Sequence, residues 1–194
     1  MSDTYRAIVD LQATPDEAQA LARRVVWRLS EEGLIMPSPA PDATLGDGGG
    51  YRPGHRIADL YHRPEYKWFL TLTTNGMEVC AKPYVNLWGF TINEDAACPQ
   101  CYVVLPFENL IIERFAEAAS QFIAGNSRPA VCCPRCSASS AVQEWKTRVH
   151  LGFAYLAFQF WNWPPFDPID WKLDIPELIS EELGHDVVTT LGRI

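Results

Sequence analysis

The 194-residue chain lacks any apolar run of the roughly 18 residues that a membrane-spanning helix needs. Its opening, MSDTYRAIVD, lacks the basic-then-apolar layout of a secretory signal. Both absences point to a cytoplasmic protein. Basic residues are in deficit, 16 Lys and Arg against 24 Asp and Glu, for a net charge of -8. That balance excludes general attraction to nucleic acid or anionic membrane, which needs basic patches, and suits a basic protein partner. Short catalytic signatures are missing too: there is no G-x-S-x-G, no H-E-x-x-H and no dinucleotide fingerprint. The glycine cluster GDGGG at Gly46 to Gly50 is not a P-loop, because no Gly-Lys-Ser/Thr follows it and no strand precedes it. These gaps lower the expectation of an enzyme. Disorder is excluded as well, since 47% of the residues are hydrophobic and 21% charged, enough for one core with a small satellite.

What is present is a pattern of cysteines: Cys80, Cys98, Cys101, Cys132, Cys133 and Cys136. In a reducing compartment, two Cys-x-x-Cys pairs favour a metal over disulfides. Two intervening residues let one tight turn aim both sulfurs at one ion, and Pro99 and Pro134 stiffen each turn. Together Cys98, Cys101, Cys133 and Cys136 supply the four thiolates of a closed, structural zinc site, with the adjacent Cys132 facing elsewhere. Unliganded thiols and a redox pair are the alternatives. A redox Cys-x-x-Cys sits at a helix N-terminus, yet Cys101 runs into the extended-looking YVVLP and Cys136 into small polar residues. The segment Ala97 to His150 resembles a zinc ribbon in its CPQC and CPRC. The 31 residues between the two pairs exceed the common spacing of about 15–20 and fit an intervening helix.

Alternating Tyr5, Ala7, Val9 and Leu11 predict a strand. Thr14, Pro15 and Glu17 then open a helix carrying Ala18, Leu21, Ala22, Val25 and Leu29, which Gly33 ends. The stretch 36–54 is rich in Pro and Gly and reads as a long loop, functional or mobile. Asn75-Gly76 between Trp68–Thr74 and Met77–Pro83 predicts a two-residue hairpin. A strand over Val85–Ile92 and a helix over Glu108–Ala124 follow, the latter with Leu110, Ile111, Phe115, Ala118, Ala119, Phe122 and Ile123 on one side. Leu151–Trp163 reads as a buried strand with helix as the alternative. Asp167–Leu183 reads as a helix with Ile169, Leu173, Leu178 and Ile179 inward, and the tail as a last strand. The order suits an α+β fold: a ferredoxin-like antiparallel sheet with helices on one face, residues 1–96 and 151–194, interrupted by a zinc-ribbon-like insert at 97–150. No internal repeat is visible beyond the cysteine pairs.

Three other groups invite a functional reading. His55, Asp59 and His62 would share a face if helical and could move protons, though a solvated segment with Leu60 and Tyr61 packed down is the favoured reading. Trp161, Trp163 and Trp171 are favoured as core, with an exposed partner-binding ledge as the alternative. Asp170, Asp174, Glu177 and Glu181 lie in an acidic run that is either a solvated face or a dock for a basic protein. A nucleic-acid-binding ribbon is the alternative function, but the insert offers Arg114, Arg128, Arg135, Lys146 and Arg148 against Glu108, Glu113, Glu117 and Glu144.

The strand-helix YRAIVDLQATPDEAQALARRVVWRL, the segment WFLTLTTNGMEV and the aromatic FQFWNWPPF before an acidic helix resemble the small acidic immunity proteins of bacterial polymorphic toxin systems. The resemblance implies a non-enzymatic cytoplasmic protein that binds and inhibits a cognate toxin domain, such as a nuclease. The cysteine pairs are not a general feature of that group.

Overall fold

Thr14 sets the first helix as its sequence requires: its N–H donates to Glu17 Oε1 at 2.8 Å, and its carbonyl accepts from Ala18 at 3.0 Å. The computed structural model describes residues 3–46, 48–87, 95–106, 108–147 and 150–193. Along the chain lie β1 (Thr4–Asp10), α1 (Pro15–Glu31), the one-turn α2 (Ile57–Leu60), a 3-10 segment (Pro64–Thr71), β2 (Met77–Cys80), β3 (Tyr84–Asn86), β4 (Asp95–Ala97) and β5 (Val104–Pro106). Next come α3 (Asn109–Ile123), β6 (Ala130–Cys132), β7 (Ser139–Ala141), β8 (Lys146–Thr147), β9 (Gly152–Ala154), β10 (Leu156–Trp161), α4 (Ile175–Leu183) and β11 (Val187–Arg193). The chain is α+β, as expected, and divides into two units: Met1–Lys82 with Ala154–Ile194, and Pro83–Phe153. The second unit is wider than the 97–150 insert expected from the cysteines. No helix among the described residues is long and apolar enough to cross a membrane.

The first unit is built on one antiparallel sheet in the order β11-β1-β10-β2. One face of it carries Ile8, Leu156, Phe158, Phe160 and Met77, packed with Leu21, Val25 and Leu29 of α1 and Ile175, Leu178, Ile179 and Leu183 of α4. The opposite face is buried as well: Ala7, Val9, Ala157, Gln159, Trp161, Cys80 and Thr190 are all shielded from solvent. A strand buried on both sides has no polar alternation to keep, which is why β10 reads LAFQFW, with Gln159 its single polar residue.

Helix α1 ends in a Schellman motif. Gly33 takes φ +64, its N–H bonds to Ser30 at 2.9 Å, and the Leu34 N–H reaches back to Leu29 at 2.8 Å. Glycine is doubly required there, because a Cβ on Gly33 would lie 2.5 Å from the His55 ring.

Several local expectations are corrected. Asn75-Gly76 makes no hairpin: Trp68 to Thr71 belong to the 3-10 segment, and only the second run becomes a strand, β2. Asn75 is buried and holds three segments together instead. Its Nδ2 donates to the Phe69 carbonyl at 3.0 Å, its carbonyl accepts from Trp163 Nε1 at 2.6 Å, and its Oδ1 accepts from Arg52 at 3.3 Å. Gly76 is needed for close approach, since a Cβ there would meet that of Ala43 at 2.7 Å. The helix expected from Asp167 begins only at Ile175, with Pro176 in its first turn and Asp174 Oδ1 accepting from the Glu177 N–H at 3.0 Å. Asp167 instead closes a turn by accepting from the Ile169 N–H at 2.9 Å, which turns Ile169 outward at 77% exposure.

The second unit has small sheets: β5-β4-β8, the hairpin β6-β7, and β3 paired with β9. Of the strand expected over Val85–Ile92, β3 covers the start, and 88–94 lie outside the described residues. Helix α3 buries Ile111, Phe115, Ala118 and Phe122, with Phe115 edge-on to Trp145 and Phe122 edge-on to Phe153, centroids 5.6 Å apart in each pair. Leu110 and Ile123, expected on that side, are exposed.

Candidate metal centre

Two short turns of one design carry the cysteines. Cys98 to Cys101 lies between β4 and β5, and Cys133 to Cys136 between β6 and β7. In the first, Cys98 N–H bonds to Val103 O and Tyr102 N–H to Cys98 O, both at 3.0 Å. In the second, Cys133 N–H bonds to Ala138 O at 2.8 Å and Ser137 N–H to Cys133 O at 2.9 Å. The N–H two residues beyond each leading cysteine points at its sulfur, Gln100 to Cys98 and Arg135 to Cys133, each at 3.4 Å. The residue after each pair is left-handed, Tyr102 at φ 59 and Ser137 at φ 60. Each turn thus repeats the other bond for bond. Cys98 and Cys133 are buried, while Cys101 and Cys136 face solvent.

The two turns bring four sulfurs together. Cys98, Cys101, Cys133 and Cys136 have their Sγ atoms all within 4.8 Å of one another. The cross-turn pairs Cys98–Cys136 and Cys101–Cys133 are each 3.9 Å apart. A disulfide would bring two sulfurs to ~2.05 Å, and the six thiols are free. A tetrahedron with metal–sulfur bonds of ~2.3 Å has edges of about 3.8 Å, so the observed spacing suits four ligands around a single ion. Cys132 is no part of the cluster; its thiol lies 3.6 Å from the Ser137 carbonyl. Cys80, in the other unit, is a buried thiol pushed up to about 12 by burial and by the Glu78 charge.

The cluster's electrostatics are compatible with a bound cation. Burial works against a Cys133 thiolate, but the Cys136 and Arg135 N–H groups and the Cys98 and Cys136 thiols outweigh it and bring the group down to about 7. Cys136 is pushed up to about 12. The Ala138 N–H favours its thiolate, but burial and the Cys101, Cys133 and Cys98 sulfurs outweigh that. Four sulfurs this close cannot all be anions alone: they share protons, or a metal ion takes the place of those protons. The redox alternative loses its structural basis, because neither pair opens a helix.

The other candidate residues are dispersed. Trp161, Trp163 and Trp171 are at most 5% exposed, which corrects the ledge to core. Trp163 stacks on Trp171 with ring centroids 5.9 Å apart, and Trp161 Nε1 donates to Glu78 Oε2 at 3.0 Å. Asp170 is buried and paired with Arg63, and Asp174 caps α4, leaving Glu177 and Glu181 as exposed acids of that helix. His55, Asp59 and His62 are all exposed. Helix α2 is a single turn, and Tyr61 leaves it in an extended conformation, so the three share no helical face. Of the basic residues weighed for nucleic acid, Arg128 pairs with Glu144, Arg114 bonds to the Cys132 carbonyl, and Arg148 lies outside the described residues.

The left-handed positions at Tyr102 and Ser137 escaped the sequence reading. The signal was present in the place that directly follows a Cys-x-x-Cys, but neither residue is the glycine or asparagine that marks such a position. Compared with models of known protein families, with curated proteins and with solved structures, the chain has no match.

Proposed function

We propose that this chain is a zinc-stabilised protein-binding module that catalyses no reaction. The observation that carries the reading is the four-sulfur geometry, sized for one tetrahedral ion. An all-thiolate set favours a soft metal over magnesium or calcium, and zinc is our assignment. With four protein ligands no coordination position is open to a substrate, so the ion fastens the fold. The cysteine-bearing unit is ribbon-like on this reading, supported by its two matching turns. The other unit is ferredoxin-like, supported by its sheet: numbered along the chain, the four strands run 4-1-3-2, antiparallel throughout.

The partner we propose is a basic protein, in the manner of bacterial immunity proteins that bind and block a toxin domain in the cytoplasm. Charge supports this. The second unit holds five Lys and Arg against six Asp and Glu, so -7 of the net -8 belongs to the first. A field of that sign speeds encounter with a basic surface. Elemental analysis of the purified protein tests the metal: one zinc per chain is expected, with most of it lost in Cys101→Ser and Cys133→Ser. Full metal content in both variants overturns the ligand assignment. Co-purification with the product of a neighbouring gene tests the partner, and a complex indifferent to Glu177→Lys with Glu181→Lys argues against the acidic helix as its dock.

A further inference from the structure

Four stretches of the first unit meet around a pocket of 260 Å³: Thr4 at the start of β1, Tyr61 to Phe69, Asn162 to Pro165 after β10, and Asp170. Hydrogen bonds between these stretches fix their places. The His62 N–H reaches the Asp170 carbonyl at 2.8 Å, and the Trp171 indole N–H reaches the Pro165 carbonyl at 2.8 Å. Asn162 takes the left-handed φ of 57, which asparagine tolerates better than most residues. Its Nδ2 donates to Asp3 Oδ1 at 2.6 Å and to the Thr74 carbonyl at 2.7 Å. Its backbone N–H donates to the Thr4 carbonyl at 2.7 Å, and its Oδ1 accepts from the Thr4 N–H at 3.0 Å.

Aromatic rings and prolines make most of the wall. Phe69 and Trp163 are buried with ring centroids 5.9 Å apart, while Trp68 is 52% exposed. The charged groups in the wall are Arg63 and Asp170, bonded to each other through Nε and Oδ1. The pair keeps bonding capacity on both sides. Asp170 Oδ2 takes no hydrogen bond from the described residues, although the side chain is only 12% exposed. A guanidinium carries five N–H donors, and the bond to Asp170 Oδ1 uses the one on Nε. The volume falls below the roughly 300–1,000 Å³ of drug-sized sites, so the occupant is small.

We propose that this pocket binds a free α-amino acid with an apolar side chain. The ligand's ammonium donates to Asp170 Oδ2, its carboxylate accepts from the terminal N–H groups of Arg63, and its side chain lies against Trp68 and Phe69. The charges in the wall argue for a zwitterion. A lone cation reaching Asp170 also meets Arg63, and a lone anion reaching Arg63 also meets Asp170. A molecule carrying one charge of each sign answers both. Arginine holds a carboxylate well, through parallel N–H bonds from its planar fork. The rings select the apolar side chain, since such walls give a polar one no partner. The site lies wholly in the first unit and depends neither on the metal nor on the protein-binding reading.

The test titrates the intact protein with the standard L-amino acids, one at a time, by calorimetry. An apolar one, from the set leucine, isoleucine, methionine, phenylalanine and tryptophan, is expected to bind with a Kd of about 1 mM or tighter. The N-acetyl derivative and the carboxamide of that best binder each lack one of its two charges. Each should bind about tenfold more weakly or worse. Trp68→Ala should also weaken binding about tenfold. Trp68 is exposed enough that the variant should fold, which its thermal melt checks. No binding by any amino acid overturns the proposal. So does a derivative that binds as well as its parent, a best binder with a charged side chain, or binding indifferent to Trp68→Ala. The derivatives probe the unaltered protein, so they decide the matter even where the variant unfolds.

Discussion

The two units hold themselves together by different means. The first has a continuous core in which Phe69, Phe158, Phe160, Leu29, Leu34 and Ile57 are almost wholly buried between sheet and helices. Its central strand is shielded on both faces. The second has strands of two or three residues and one long helix, with Phe115, Phe122 and Trp145 among the largest buried side chains of its described residues. Strands that short cannot sustain a sheet by themselves. Where the first unit buries hydrocarbon, the second gathers four sulfurs. A small unit short of core needs such a fastener, and the larger one does not.

Removing the proposed zinc should break the contrast most sharply. Zinc held by a structural tetrathiolate stabilises small domains by about 10 kcal/mol or more at neutral pH. Chelation, or Cys133→Ser, is therefore expected to melt the second unit. Hydrogen exchange over 95–147 should become fast while that of β1 and β10 changes little. Equal loss of protection in both units would mean that they are not separate in stability. Acid should act in the same direction: each thiolate must take up a proton to leave the metal, so zinc is retained at pH 8 and released steeply as pH falls, which a chromogenic zinc indicator follows.

Phe158→Ala is the converse test. It removes a ring from the centre of the first core and should cost about 3–5 kcal/mol in denaturant unfolding, with one zinc per chain retained. Gly33→Ala is next in size. The left-handed φ and the His55 ring together should lower stability by about 1–3 kcal/mol, measured as a fall in melting temperature of the first unit alone. The smallest effect separates the two turns from their sequence. Ser137→Gly and Tyr102→Gly relieve a left-handed residue at some entropic cost, and each should raise zinc affinity or leave it level, within about 1 kcal/mol. A marked loss on Tyr102→Gly would show that the exposed tyrosine ring does more than occupy a turn.

The same division decides what could be read from the sequence. Metal ligands follow from local spacing, since a Cys-x-x-Cys turn shapes itself, and the four cysteines converge as their pattern implied. Helix α1 was legible for the same reason: Thr14, Pro15, Glu17 and Gly33 act on their own neighbours. The Asn75-Gly76 turn was not, because Ala43 and Trp163, distant in sequence, and Phe69, six residues back, use those residues for something else. The start of α4 was missed because Asp167 bonds forward into a turn of its own before Asp174 can cap. The facing of Trp161, Trp163 and Trp171 depends on the order of strands, and pairings across more than a hundred residues leave no local trace.

The register of β2 against β10 reaches into the kinetics of assembly. Cys80 pairs with Ala157, so the whole cysteine-bearing unit is an excursion between two neighbouring strands. On a ribosome, β10, which joins β1 to β2, emerges only after that excursion is complete. Closing a floppy loop of that length costs about 2 kcal/mol more than closing one of a few residues. The zinc we propose would roughly halve that loop by joining its two cysteine turns, so its supply to the nascent chain should speed closure of the neighbouring sheet by up to about threefold.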